Sequence, residues 1–170
     1  MINLFKRVQP ISNYRKIVTG GPNAIWEMDL VDMSKVGGSQ KGYILVAIDQ
    51  HTRYAWGKVI KQKSEAEITK ALKEIFEEAK PKKILSDKES GFIHNKFLKE
   101  LGIEVFHLEN NPVGAPMVER LIYSLREIMN PLREEQKVKH NWKHLVPKVM
   151  EIYNNRIHSA IKATPFDGRC

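Results

Sequence analysis

The chain has 170 residues, with 28 lysines and arginines against 20 aspartates and glutamates, a net charge of +8 and a pI near 9.5. A chain of this length buries roughly two thirds of the surface that its unfolded form exposes, so a single domain without covalent staples is expected. One cysteine, Cys170, excludes a disulfide framework and a Cys-rich zinc site. No apolar run approaches the roughly 20 residues that span a bilayer, and no charged-then-apolar leader opens the chain; an intracellular protein with no membrane partner is expected.

Charge is unevenly spread. Residues 1–25 carry Lys6, Arg7, Arg15 and Lys16 and no acid, residues 26–110 carry 14 bases and 14 acids, and residues 111–170 carry ten bases and six acids. Two basic ends around a neutral middle fit a polyanionic partner, nucleic acid first, although an excess of this size also serves as a plain solubilising surface.

In chain order, residues 1–23, with Pro10, Gly20, Gly21 and Pro22, read as a basic arm; 24–166 read as the folded core and 167–170 as a tail. Three strand-like runs follow at 25–33, 43–49 and 54–60, joined by the turn-rich "SKVGGSQKG" and "QHT", and should pair as an antiparallel meander. The period then changes. Ser64 and Glu67 fit a capping box, and Ile68, Ala71, Leu72, Ile75 and Phe76 form one apolar stripe of a helix ended by Pro81. "KKILSD" reads as a strand, "HNKFLKELG" as a short helix closed by Gly102, and "IEVFHL" as a strand parallel to the previous one. A helix starting at Pro116 carries Val118, Leu121, Leu125, Ile128 or Met129, and Leu132; a last one carries Trp142, Leu145, Val146, Val149, Met150 and Tyr153. The expected class is α/β, a mixed five-stranded sheet of three antiparallel and then parallel strands with helices on both faces.

Three acids stand out within this order. Asp29 lies in the first strand on the face opposite Trp26, Met28 and Leu30, Asp87 ends the fourth, and Glu119 falls in the first turn of the helix that begins at Pro116. Strand carboxyl ends in α/β sheets face the ligand crevice, which is where Asp87 belongs; Asp29 shares it if the first strand is central. Converging carboxylates repel unless divalent cations neutralise them, and hard oxygen donors suit Mg²⁺ or Mn²⁺. Two such ions activate an attacking oxygen and stabilise a leaving one in phosphoryl displacement.

The stretches "IWEMDL", "GYILVAIDQHTRYAW", "ILSDKESGF", "NNPVGAPMVER" and "YNNRIHSAIKATP", in this order, resemble the catalytic core of retroviral-type integrases, most closely those of Maverick or Polinton elements and virophages. The resemblance covers about residues 14–166. It implies an RNase H-like fold and a DDE triad at Asp29, Asp87 and Glu119, acting as catalytic residues and as ligands of two Mg²⁺ or Mn²⁺ ions. It further implies 3′-end processing and strand transfer of double-stranded DNA, a homodimer or higher multimer, and a nuclear location for a eukaryotic element or virus. Glu89 stands where relatives often have glycine, and Ile122 and Tyr123 where many have Asn and a basic residue. These departures bear on substrate contacts more than on metal ligation, and Arg126, followed by Arg120, is the candidate phosphate contact. Full-length relatives carry a zinc module before the core and a basic barrel or chromodomain after it; neither is read here, so an excised core is expected.

Blander readings stand beside these. Glu27, Asp32, Asp49 and Glu89 read as solvated or turn-capping acids, and His140 and His144, spaced like zinc ligands, as a surface pair. Two other functions compete with the transferase: an RNase H-like nuclease, which calls for a fourth cleft carboxylate such as Asp49 or Asp32, and a catalytically silent core that serves as a DNA-binding or oligomerising scaffold.

Overall fold

Alternation of apolar residues in the first half of the chain builds the sheet seen in a computed structural model, which describes residues 20–34, 41–87, 91–92, 94–107, 115–135 and 141–169. Strands β1 (Ile25–Asp32), β2 (Tyr43–Asp49) and β3 (Ala55–Ile60) form the antiparallel meander, with Trp26 opposite Asp49 and Asp32 opposite Tyr43. β4 (Lys83–Ser86) pairs in parallel with the free side of β1, and β5 (Glu104–His107) in parallel with β4. The order across the sheet is β3-β2-β1-β4-β5, so β1 is central.

Period-two alternation divides β1 between two cores. Trp26, Met28 and Leu30 join Leu45, Ala47, Ile84 and the buried stripe Ile68, Ala71, Leu72 and Ile75 of α1 (Glu65–Phe76). Val31 faces the other way with Ile44, Val46 and Ile48, against α3 (Pro116–Glu135) and α4 (Val146–Asn154). Glu27 and Asp29 share the parity of Val31 and therefore face α3.

Local chemistry accounts for the helix ends, with some departures from expectation. Ser64 Oγ caps α1 by accepting from the Glu67 N–H at 3.3 Å, but Glu67 turns outward to accept from the Lys61 N–H at 3.1 Å, so the reciprocal half of the capping box is diverted. α1 ends at Phe76, ahead of Pro81. Asn95 caps the short α2 (Lys96–Glu100), and Gly102 closes it at φ 67°, a left-handed geometry that favours glycine. The final apolar stripe begins as a 3-10 turn (Lys143–Leu145), because Pro147 suits only the first turn of α4. A last helical turn, α5 (Pro165–Arg169), lays the Arg169 guanidinium over the Tyr54 ring at 4.5 Å and against Glu78 Oε2 at 3.1 Å. Among the described residues no helix is long and apolar enough to cross a membrane.

Candidate active site

β1 and β4 carry the first two predicted acids toward one end of the sheet. Their parallel register aligns Met28 with Ser86. Asp29 and Asp87 each lie one residue beyond that pair, Asp29 within β1 and Asp87 just after β4. Asp29 is half-buried, and its Oδ1 accepts from the Leu30 N–H at 2.7 Å. Burial is the main force pushing its carboxyl above the ordinary range; the like charges of Asp87 and Glu119 push the same way, against the Leu30 N–H and the cation of Lys63. Asp87 and Glu119 are both exposed, whereas Asp29 is half-buried. Among the described residues no three or more His, Cys, Asp or Glu side chains are gathered closely enough to hold a metal ion. All three carboxylates nonetheless offer hard oxygen donors, the set that suits Mg²⁺ or Mn²⁺.

α3 reaches this face through an anchor that sequence reasoning placed elsewhere. The Glu119 N–H donates to the Ala115 carbonyl at 3.2 Å, the first internal bond of the helix, which makes Ala115 the cap residue although its side chain has no acceptor. Pro116 has no N–H to satisfy. The next two, on Met117 and Val118, both donate to Glu27 Oε2 at 2.9 Å. Gln50 Nε2 donates to Glu27 Oε1 at 2.8 Å, and the Arg53 guanidinium contacts both the Gln50 carbonyl and Met117 Sδ.

Glu27 is completely buried, so its reading as a solvated or turn-capping acid is corrected: it caps a helix 90 residues away. Burial raises its pKa above the ordinary value, while the two backbone N–H groups, Gln50 and Arg53 oppose the rise. The signal was present in the strand alternation, since Glu27 shares a face with Asp29; what was missing was knowledge that α3 starts over that face.

The other acids hold to their turn roles. Asp49 accepts from the Asn23 N–H, the His51 N–H and Thr52 Oγ1 at 3.2, 3.1 and 2.9 Å, and Asp32 accepts from the Ser34 N–H at 2.8 Å. Neither supplies the fourth cleft carboxylate that the nuclease reading calls for. Glu89 and His140 lie outside the described residues; His144 is exposed. Arg120 and Arg126 are exposed on α3, one and seven residues beyond Glu119, and the Arg120 charge is felt by Arg53.

The sheet, three antiparallel strands continued by two parallel ones and covered by helices on both faces, is the RNase H-like α/β fold. Residues 20–111, more than half of the chain, match the model of the integrase core domain, and the chain belongs to that family. Solved structures agree on the fold. A chain of the simian T-cell lymphotropic virus intasome in complex with the PP2A regulatory subunit B56 gamma matches with a TM-score of 0.80 and 16% identity over 91% of this chain. The present chain spans only 57% of that intasome chain. The HTLV-2 integrase catalytic core domain in complex with magnesium matches in a trimeric form (TM-score 0.76, 17% identity, 90% of this chain and 100% of that one). It also matches in a dimeric form (TM-score 0.72, 18% identity, 89% and 99%). No curated protein sequence matches this chain.

Proposed function

We propose that the protein is the catalytic core of a DNA integrase of the Maverick/Polinton or virophage kind, a polynucleotidyl transferase that trims element DNA ends and joins them to target DNA. The observation that supports this reading is that Asp29, one residue past the Met28–Ser86 pair of β1 and β4, feels the charges of both Asp87 and Glu119. Asp29, Asp87 and Glu119 would hold two Mg²⁺ or Mn²⁺ ions. Such ions would supply charge to activate an attacking oxygen and stabilise a leaving oxygen of a phosphodiester.

The chain's own residues do the rest. Asp29, tethered by the Leu30 N–H, keeps one carboxylate oxygen fixed. Arg120 and Arg126, both exposed on α3, would meet DNA phosphates. Water would be the nucleophile in end trimming, and the freed 3′-hydroxyl the nucleophile in joining. Double-stranded DNA is thus the substrate and partner, a homodimer or higher multimer the working form, as the dimeric and trimeric HTLV-2 cores exemplify. The host nucleus is the expected place of action.

A crystal soaked in Mn²⁺ should show anomalous density between Asp29, Asp87 and Glu119. Asp29→Asn, Asp87→Asn and Glu119→Gln should each reduce Mn²⁺-dependent joining of an oligonucleotide duplex to background. Density elsewhere, or wild-type joining by Asp29→Asn, overturns the reading. A core that binds DNA but joins nothing, with Mn²⁺ bound, would instead be a silent scaffold.

A further inference from the structure

We infer that Glu27 is a positioning residue for the active site: its sealed carboxylate, braced by Gln50 and Arg53, fixes where the first turn of α3 sits and so sets Glu119 against Asp29. The inference rests on the triad reading above and names the group that brings its third member into place.

Two kinds of contact hold α3 to the sheet. Val118, Leu121 and Leu125 are buried against β1 and β2, and apolar contact of this kind is non-directional, so it tolerates rotation or sliding of the helix along its axis. Hydrogen bonds do not. Glu27 Oε2 takes the two available N–H groups of the first turn, and its other oxygen is occupied by Gln50. The carboxylate is therefore tied from two sides and cannot swing to follow a displaced helix.

Position in the chain makes this a matter of the site rather than of general stability. Glu27 is two residues before Asp29 on the same face of β1, and Val118 immediately precedes Glu119. The path from one triad member to the other thus runs through a few covalent bonds and one pair of hydrogen bonds at 2.9 Å. Ala115 provides no local cap, so nothing in its side chain takes over if Glu27 is lost.

The brace itself is held in an uncommon backbone. Arg53 adopts φ 64°, a conformation that non-glycine residues rarely take, and this directs its guanidinium to the Gln50 carbonyl and Met117 Sδ. A charged group buried without solvent persists only when it is fully partnered. Here every donor around it belongs either to α3 or to the β2–β3 turn.

Glu27→Leu removes both acceptor oxygens while keeping much of the volume, so the Met117 and Val118 N–H groups and Gln50 Nε2 lose their partner. Glu27→Gln keeps all three bonds: its amide oxygen accepts from α3, and its amide nitrogen donates to the Gln50 amide oxygen once that side chain turns over. For Glu27→Leu we expect the apparent Mn²⁺ affinity, read by calorimetric titration, to fall about tenfold or more, as for outer residues that orient ligands. The Met117 and Val118 amides should exchange hydrogen faster while later turns of α3 keep their protection, and kcat for joining should fall more than KM for DNA rises. Glu27→Gln should retain most of the Mn²⁺ affinity. Gln50→Leu, which leaves the α3 bonds in place, should give a smaller loss and serves if Glu27→Leu folds poorly.

Glu119→Gln, titrated in parallel, separates the two claims. If it binds Mn²⁺ like the wild type, the triad reading fails and the positioning role fails with it. If it loses Mn²⁺ while folded Glu27→Leu titrates normally with unchanged amide protection, the positioning role alone is wrong. Loss of affinity in folded Glu27→Gln, which keeps the bonds, also counts against it.

Discussion

Asp29 is a carboxyl group held above its ordinary pKa by burial first and by Asp87 and Glu119 next. In the metal-free protein the native state then grips that proton more tightly than the unfolded chain does. Stability therefore falls as pH rises from the ordinary value of 3.8 toward the raised folded value, and stays at the lower level above it. Asp29→Asn removes this loss. With chelator present, the variant should melt above the wild type at neutral pH, by about 2–4 °C for each kcal/mol in a domain of this size. The gap should close as pH drops below about 4, where both forms are neutral. Mn²⁺ should raise the melting temperature of the wild type and leave Asp29→Asn unmoved; an Asn variant that melts lower than the wild type in chelator at pH 7 contradicts the account. At this scale strand parity disclosed that Asp29 faces away from Trp26, Met28 and Leu30, as it does in the sheet. It did not disclose Glu27, because a buried acid and a solvated one look alike until the helix that covers one of them is located.

β3 is an edge strand, and its outward backbone is managed by a helix rather than by another strand. Asn154, near the end of α4, accepts from the Ala55 N–H and donates to the Ala55 carbonyl, both at 2.9 Å, so one buried side chain imitates a strand neighbour. Truncation by Asn154→Ala leaves both backbone groups unpaired in a buried place and should cost about 2 kcal/mol, measured as a lower urea midpoint with an unchanged slope. α4 also lies close over Gly57, where an added Cβ would meet Met150 Sδ at 2.8 Å. Gly57→Val should accordingly destabilise by about 1–3 kcal/mol through overpacking against α4. Such close approaches explain which elements were legible beforehand. Strand and helix identities follow from period two or period 3.6 within one segment, and all five strands and the long stripes were readable that way. The 3-10 opening of the last helix and the outward turn of Glu67 come from local groups, Pro147 and the Lys61 N–H, and the pairing of Asn154 with Ala55 from a partner 99 residues away; periodicity carries none of these.

For the molecule as a whole, the excess of positive charge predicts DNA affinity that weakens steeply with salt, but a global excess and a specific groove predict different mutant behaviour. Each phosphate neutralised by a side chain contributes a counterion to the salt slope. Arg126→Ala and Arg120→Ala each remove one charge from the face of α3 that flanks Glu119, and each should lower the slope of log affinity against log salt by about 1. Lys58→Ala removes one charge as well, yet Lys58 lies on β3 and pairs with Glu74 of α1 at 3.2 Å, on the other side of the sheet from α3. If DNA tracks the active-site face, Lys58→Ala leaves the slope unaltered. Fluorescence anisotropy with a labelled duplex, from about 50 to 200 mM salt, distinguishes the cases. Equal slope changes for all three variants would mean that net charge alone attracts DNA, and the assignment of α3 as the phosphate-facing helix would be withdrawn.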